Sequence, residues 1–236
     1  MIRFFIPIFC FLVFNAMGQG ARVDSVFLSS SIKSTKALYD KWMGSQTPLY
    51  SGLSAKKYNS DIDPLPFYLP DWEEGSVYYD KQLYENVSLM YDLVLDKLIV
   101  SQVQSYAEIE LISEKIARFT ILNHSFIHLG PSSAANIDDG FYELLYDGTV
   151  KLFAKRKKVI EESIEGNKVV SEVSSADRYF IYKDNFYTPV KKLSSVLAVL
   201  KDKELKSYSK KNNLNFRKNL EASLLLLVSH YDQASR

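Results

Sequence analysis

One short stretch of the sequence groups residue types that could carry out chemistry. Asp71, Glu73 and Glu74 surround Trp72, and carboxylates beside an aromatic ring are what a sugar site uses. Glycoside hydrolysis needs two carboxyl groups facing each other across the scissile bond, about 5 to 9 Å apart. The stretch therefore supports two hypotheses: a hydrolase that uses loop carboxylates such as Asp71 and Glu74, or a surface that binds a partner.

Two histidines have the spacing of metal ligands on a helix. His124 and His128 lie in ILNHSFIHLG, however, and the alternation of this segment predicts a strand. Four residues of strand separate the two imidazoles by about 13 Å, so one zinc ion could not bind both directly. Asp138 and Asp139 could help only if this region were a loop. We therefore interpret the histidines as structural, including His230 near the end of the last helix, and predict no metal site.

The sequence lacks several motifs of catalysis and nucleotide binding. Neither G-x-G-x-x-G nor G-x-x-x-x-G-K-[ST] is present, and G-x-S-x-G is absent as well. The S-x-x-K spacing occurs at Ser30, Ser54 and Ser207, but without the S-D-N and K-T-G partners of that site. We therefore predict no cofactor and assign no catalytic residue. For this reason an enzyme is only the second functional hypothesis.

The first eighteen residues predict export. Arg3 precedes an apolar run over residues 4–14, and Ala16 and Gly18 provide small residues at the −3 and −1 positions of a signal peptide cut before Gln19. No later stretch approaches the ~20 apolar residues of a transmembrane helix. We expect a soluble or peripherally attached protein that is periplasmic, outer-membrane-associated or secreted.

The cysteine content limits which cross-links, reactions and metal sites the mature chain can have. Cys10 is the only cysteine and lies inside the predicted signal peptide. Disulfides, thiol catalysis and cysteine-based zinc sites are therefore excluded after cleavage.

Charge is distributed unevenly along the chain, although the formal net charge is only +1. Residues 61–114 carry twelve acidic residues against two lysines, and residues 191–218 carry nine basic residues against two acids. Surfaces of opposite sign suit electrostatic recognition of partners. The predicted partner-binding residues are Asp71, Trp72, Glu73, Glu74, Lys203, Lys206, Lys210 and Lys211.

The order of elements predicts an α+β fold. SSSIKSTKALYDKWMG reads as an amphipathic helix, and four prolines then mark a long loop, so residues 19–74 form an N-terminal helix and a proline-rich loop. Residues 75–190 alternate with period two, which predicts an antiparallel β-meander with turns at Asp80-Lys81 and Asp96-Lys97. Val87 to Leu95 are expected to form a single strand. Residues 19–236 are expected to form one domain.

The C-terminal part, residues 191–236, predicts a set of short helices. Ser194, Asp202 and Asn219 are the expected N-caps. The last helix is the most apolar, and we expect it to pack against the sheet.

Two hairpins follow from turn chemistry. Asp147-Gly148 predicts a two-residue type I′ turn that pairs Tyr146 with Thr149, and Asp184-Asn185 predicts a second turn. On this register the basic run from Lys155 to Lys158 is mostly a charged strand end that discourages edge-to-edge aggregation.

Three segments together resemble those of a known group of proteins. They are GSVYYDKQLYENVSLMYD, GFYELLYDGTVKLFAKRKK and DRYFIYKDNFYTPVKK, followed by short lysine-rich helices. The combination resembles a group of exported proteins of Bacteroidetes-type bacteria with no established activity, over nearly the whole mature chain. The resemblance implies export and a similar fold, and it assigns no functional residue.

The leading functional hypothesis is a non-enzymatic binding or interaction module of the cell envelope, with an envelope protein or surface component as partner. A periplasmic lipid carrier is a further alternative, because a curved antiparallel sheet covered by helices can enclose a cavity. The many Tyr, Phe and Leu residues of the predicted strands should instead fill the interior of the sheet rather than leave a cavity. Interleaved aromatic and basic residues could bind single-stranded nucleic acid, but export argues against that partner.

Overall fold

The structure is a computed structural model that divides the chain into two compact units, Met1–Met43 and Gly44–Arg236. It describes residues 30–32, 34, 35, 48–58, 62, 64–102, 105–130, 137–166 and 168–234. In the first unit, residues 30–32 and 34–35 are helical. The rest of the predicted N-terminal helix and the predicted signal peptide lie outside the described residues.

Antiparallel strands dominate the described part of the second unit. Their bounds are β1 Leu53–Ser54, β2 Glu73–Tyr79, β3 Gln82–Asp92, β4 Lys97–Gln102, β5 Ala107–Glu110, β6 Ile116–Ile121, β7 His124–Leu129, β8 Gly140–Asp147, β9 Lys151–Lys155, β10 Lys158–Glu165, β11 Lys168–Ser175, β12 Arg178–Lys183 and β13 Phe186–Val190. Eleven of them form one sheet in the order β1-β5-β4-β3-β2-β6-β7-β8-β9-β12-β13, while β10 and β11 form a separate ribbon. The predicted antiparallel meander is confirmed, with its long strands beginning at Glu73.

Three α-helices follow the sheet: α1 Leu193–Leu200, α2 Glu204–Lys211 and α3 Leu220–Ala234. The predicted N-cap at Asp202 lies one residue too early, since Lys203 occupies the N-cap position of α2, but Asp202 Oδ1 still accepts the amide of Glu204 at 2.8 Å. The predicted cap at Ser194 is wrong: Lys192 occupies the N-cap position of α1, and the Ser195 hydroxyl accepts the Lys192 amide. None of the helices in the described ranges is long and apolar enough to cross a membrane.

The interior of the first half of the sheet is packed with aromatic rings. Phe119 and Phe126 stack with their centroids 4.7 Å apart, and Tyr91 contacts both rings edge-on. Phe141 packs edge-on against Phe119 and Tyr91. Edge-to-face and offset pairs of this kind add to the stabilisation that burial alone provides. The side chains therefore fill this core, as the composition predicted.

A second core joins the helices to β9, β12 and β13. Leu152 and Ile181 from the sheet pack with Leu224, Leu227 and Val228 of α3, and all five are buried. The apolar last helix thus packs against the sheet, which confirms the prediction for it.

The strand expected over Val87 to Leu95 ends earlier. β3 stops at Asp92, and residues 93–96 form the turn, because the Asp92 Oδ1 accepts the amides of Val94 and Leu95 at 2.8 and 2.9 Å. An aspartate that bonds the backbone two residues onward nucleates a turn. Leu93 and Leu95 therefore leave the strand, and the turn lies before the predicted Asp96-Lys97 position.

The β8–β9 hairpin exists, but its predicted register is wrong. Residues 148–150 form a three-residue loop, and Tyr146 pairs with Leu152 rather than Thr149. Gly148 is not among the residues with positive φ. A Cβ there would lie 2.6 Å from an Asp232 oxygen, so glycine is needed for close approach rather than for a type I′ turn.

The Asp184-Asn185 turn is confirmed. Both residues have positive φ, 51° and 64°, and Lys183 pairs with Phe186 across the two-residue loop. The ribbon of β10 and β11 was not predicted from the sequence, where IEESIEGNKVVSEVSS has no aromatic residue and five charged residues.

Candidate functional site

The basic run at residues 155–158 passes from the interior to the surface. Lys155 ends β9, and Lys158 begins β10, so the run is the link between the main sheet and the ribbon. Lys155 and Arg156 are largely covered, whereas Lys157 is exposed. The interpretation of the whole run as a charged strand end is therefore wrong for its first two residues.

Lys155 is a buried structural cation. Its side chain is 8% exposed, and Nζ lies 2.5 Å from Oδ2 of Asp96 and 4.9 Å from the centre of the Tyr142 ring. The same carboxylate accepts the Tyr91 hydroxyl at 2.5 Å and the Phe141 amide at 3.3 Å. Burial, and then the Asp96 charge, raise the pKa of Tyr91 well above its ordinary value. Asp96 therefore ties the β3–β4 turn to β8 and β9.

Arg156 binds three carboxylates from separate parts of the chain. Its Nε donates to Glu143 at 2.6 Å, and its Nη1 donates to Asp177 at 2.8 Å and to Glu221 at 2.6 Å. Burial disfavours the charged guanidinium, but these carboxylates outweigh burial and raise the pKa of Arg156. Burial would raise the pKa of Glu221, and its hydrogen bond with Arg156 outweighs that effect and lowers it. Arg156 thus joins β8, the β11–β12 link and α3.

Glu143 also holds a histidine at the surface. The carboxylate is 3% exposed, and His124 Nδ1 lies 2.5 Å from its Oε1 while the imidazole is 41% exposed. Since a carboxylate only accepts, the ring nitrogen donates. The Tyr68 hydroxyl donates to the same oxygen at 3.3 Å, and burial, followed by the Glu143 charge, raises the pKa of Tyr68.

A carboxylate that orients an imidazole is found in catalytic sites as well as in structural networks. Within the described ranges, no serine or threonine hydroxyl forms a hydrogen bond with His124. Nor does that part of the chain contain a group of three or more His, Cys, Asp or Glu side chains able to hold a metal ion. What this network does is fix the path of the chain from β9 into β10.

That path places lysines beside two adjoining depressions of about 630 and 330 Å³. We call them together the basic groove, because both are lined by Lys56, Lys57 and Tyr58. The larger depression is also lined by Ile62, Val94, Lys157, Lys158, Val159, Ile160 and Glu162. The smaller one is also lined by Leu65, Phe67, Trp72, Met90, Ile99 and Glu108.

Some of the groove lysines are held in place. Lys158 Nζ donates to the carbonyls of Leu65 and Phe67 at 2.6 and 2.7 Å, and burial lowers the pKa of Lys158. Lys56 Nζ lies 4.8 Å from the centre of the Tyr58 ring. Four lysines and two glutamates line the groove, which gives a net charge of +2 at neutral pH.

The floor of the smaller depression is apolar. Phe67 and Trp72 pack with Met90 and Ile99, on the sheet face opposite the aromatic core. Tyr58 contacts Phe67 edge-on at 5.9 Å, and its hydroxyl donates to Oδ2 of the buried Asp92 at 2.7 Å. The groove thus combines positive charge with aromatic surface, the composition that suits an anionic ligand with apolar parts.

The predicted partner-binding residues fall in different places. Trp72 belongs to the groove floor, Asp71 is exposed beside it, and Glu73 and Glu74 lie in β2 rather than in the loop where they were expected. The predicted lysines are all exposed on α2 and at its N-cap, and none lines the groove: Lys203, Lys206, Lys210 and Lys211.

Sequence patterns missed most of the groove. Lys157 and Lys158 were noticed but interpreted as a strand end, Lys57 was considered only for its spacing from Ser54, and Lys56 was not considered. The KK doublets at 56–57 and 157–158 were the available signal. Comparison with models of protein families, with curated proteins and with solved structures found no match.

Proposed function

We propose that the protein is an exported, non-enzymatic binding module whose basic groove takes an acidic segment of an envelope partner. The observation that supports this function is the convergence of two lysine doublets, about 100 residues apart in sequence, on one surface with an apolar floor. Clustered charge of one sign speeds the association of ligands of the opposite sign and is screened by salt.

The buried ionic network supports this proposal by fixing the groove. Arg156 precedes Lys157 directly, and the Lys157 amide donates to Oδ1 of Asp177 at 3.1 Å, the same side chain that binds Arg156. A preorganised site loses less conformational entropy when a ligand binds than a mobile one does. The network therefore has a role in binding without taking part in any reaction.

The alternatives have less support. Among the described residues, neither Asp71 nor Glu74 forms a hydrogen bond with another side chain, so no specific contact favours the hydrolase. The aromatic core leaves little room for the apolar cavity that a lipid carrier needs. Turnover of a glycan or ester by the mature protein, abolished by Asp71→Asn or Glu74→Gln, would reverse this order.

The experiment compares two pairs of charge reversals. Binding of a fluorescein-labelled oligoglutamate peptide to the mature protein is followed by fluorescence anisotropy at about 20 mM and about 200 mM salt. We expect Lys57→Glu with Lys157→Glu to weaken binding at least tenfold. The matched pair on α2, Lys203→Glu with Lys206→Glu, should change affinity less than twofold. The opposite pattern would favour the predicted basic helices, and no binding by the wild type would overturn the proposal.

A further inference from the structure

One wall of the basic groove is the edge of a β-strand. Lys158, Val159 and Ile160 are consecutive in β10, and all three line the larger depression. Successive side chains of a strand point to opposite faces of a sheet. A depression that contacts three in succession therefore meets the strand at its edge rather than on one face.

This edge is the unpaired one. β10 pairs with β11 on one side, and no further strand of the described ranges pairs with the ribbon. None of the residues that line the groove belongs to β11. The groove therefore lies along the side of β10 that faces away from β11.

Hydrogen bonds at the base of the ribbon identify which main-chain groups face the groove. The Lys158 amide donates to the carbonyl of Leu93 at 3.1 Å, outside the ribbon, and the Ala176 amide donates to the carbonyl of Lys157 at 2.8 Å. In an antiparallel pair, alternate residues direct both their amide and their carbonyl to the same edge. Ile160 and Glu162 consequently direct their main-chain groups to the groove, where no backbone group of the described residues bonds them.

We propose that the basic groove binds its acidic ligand as an added β-strand, which pairs with the free edge of β10 at Ile160 and Glu162. Two residues with one donor and one acceptor each allow four main-chain hydrogen bonds, and the side chains on either side of the added strand meet the lysines and the apolar floor. Strand addition of this kind supplies affinity from the backbone and specificity from alternate side chains. This inference rests on the proposed function and specifies the conformation of the ligand.

Charge complementarity determines which peptides the basic groove should bind. Lys157 lies just before β10 and Lys158 is its first residue, so acidic residues of the ligand belong beside them. Glu162 lies two residues beyond Ile160 and would repel an acidic residue placed next to it. We therefore expect a peptide of alternating acidic and apolar residues to bind better than a basic one, and Glu162→Gln to raise its affinity.

Proline substitutions test the edge directly. Glu162→Pro removes an amide from the groove edge of β10 without removing a hydrogen bond to β11. Ser171 pairs with Glu162, so Ser171→Pro likewise removes an amide from the outer edge of β11 without removing a hydrogen bond to β10. The probe is a labelled eight-residue peptide of alternating Glu and Val, and a peptide of alternating Glu and Pro has equal charge but fewer amides.

The expected result is at least a tenfold loss of Glu-Val peptide affinity in Glu162→Pro, with less than a twofold change in Ser171→Pro and a gain in Glu162→Gln. The Glu-Pro peptide should bind the wild type at least tenfold more weakly. Equal binding of both peptides, lost only on reversal of Lys57 and Lys157, would overturn strand addition and retain the proposed function. Failure of both peptides to bind would overturn both.

Hydrogen exchange of the wild type provides a readout that needs no variant. On addition of the Glu-Val peptide, the amides of Ile160 and Glu162 should become protected, while those of Ser171 and Val173 on the far edge should not. Protection of neither pair in a saturated complex would overturn the proposal even if a proline variant failed to fold.

Discussion

The amide of Thr149 donates a 2.8 Å hydrogen bond to Oδ1 of Asp232, a carboxylate in α3 that has no exposed surface. The Thr149 hydroxyl bonds the same oxygen, and the Tyr146 hydroxyl donates to Oδ2 at 2.9 Å. One helical side chain therefore holds the whole β8–β9 loop and sets its three-residue length.

We predict that Asp232→Ala destabilises the protein by about 1 to 3 kcal/mol, because it removes a buried carboxylate that accepts hydrogen bonds from the Thr149 amide and the partly covered Tyr146 hydroxyl. Gln233→Ala, at the next and exposed position of α3, is the matched control and should change the free energy of unfolding by less than about 0.5 kcal/mol. Urea unfolding followed by circular dichroism measures both. Equal stability of the two variants would contradict the role given to Asp232.

Arg156 and Arg178 provide a contrast between a buried and an exposed ion pair. Arg156→Met should destabilise by about 3 to 5 kcal/mol, since it leaves three carboxylates without their cation in a covered site. Arg178→Met removes an ion pair with Asp138 whose side chains are 47% and 68% exposed, and should lower stability by at most about 1 kcal/mol. Chemical denaturation of both variants at neutral pH tests the difference, and a reversed order would be inconsistent with the network.

Alkaline pH should destabilise the fold through Tyr142. Burial, and then the Asp138 charge, raise the pKa of Tyr142 to about 12 from an ordinary value of about 10. The folded state therefore favours the neutral ring, and this contribution is complete below pH 10 and is lost as the pH rises from about 10 through about 12. The loss approaches about 1.4 kcal/mol per pH unit for a fully buried ring.

Urea midpoints measured across this pH range, for the wild type and for Tyr142→Phe, test the prediction. The variant should show a shallower decline above pH 10 than the wild type. Tyr106→Phe, at a ring that is 89% exposed, is the control and should follow the wild-type curve. Parallel curves for all three proteins would exclude Tyr142 as a source of alkaline sensitivity.

The β2–β3 turn offers a stabilising substitution. Lys81 has a φ of 66°, a left-handed conformation that costs a residue with a side chain about 1 kcal/mol more than glycine. Lys81→Gly should therefore raise the unfolding free energy by roughly 0.5 to 1 kcal/mol. Lys191→Gly, an exposed position outside the positive-φ residues, should instead be neutral or destabilising. Thermal unfolding of both variants would separate the two effects.

The elements that sequence patterns predicted correctly depend on local chemistry. Alternation over β2 to β9 reports which face is buried, and Asp184-Asn185 can form its turn without help from the rest of the chain. These features follow from residues within a few positions of one another, so a single sequence is enough to identify them.

The features that were missed depend on distant partners. Lys155 is buried because Asp96, far earlier in the chain, lies beside it, and Gly148 lies in a longer loop because Asp232 reaches it from α3. The groove likewise joins residues 56–58 to residues 157–162. Period and turn chemistry carry no information about such contacts, and for that reason the basic run was interpreted as solvated surface.

The strand order has a consequence for how fast the chain can fold. Val77 pairs with Tyr84 on β3, only seven positions away, but also with Phe119 on β6, 42 positions away. Closing the longer loop costs roughly 1.5 kcal/mol more entropy than closing the shorter one. The hairpins β2–β3 and β3–β4 can therefore form early, and the pairing of β2 with β6 is the slow step in folding. Truncation of Phe119 should accordingly slow refolding, whereas truncation of Tyr187 in the local β12–β13 hairpin should mainly accelerate unfolding.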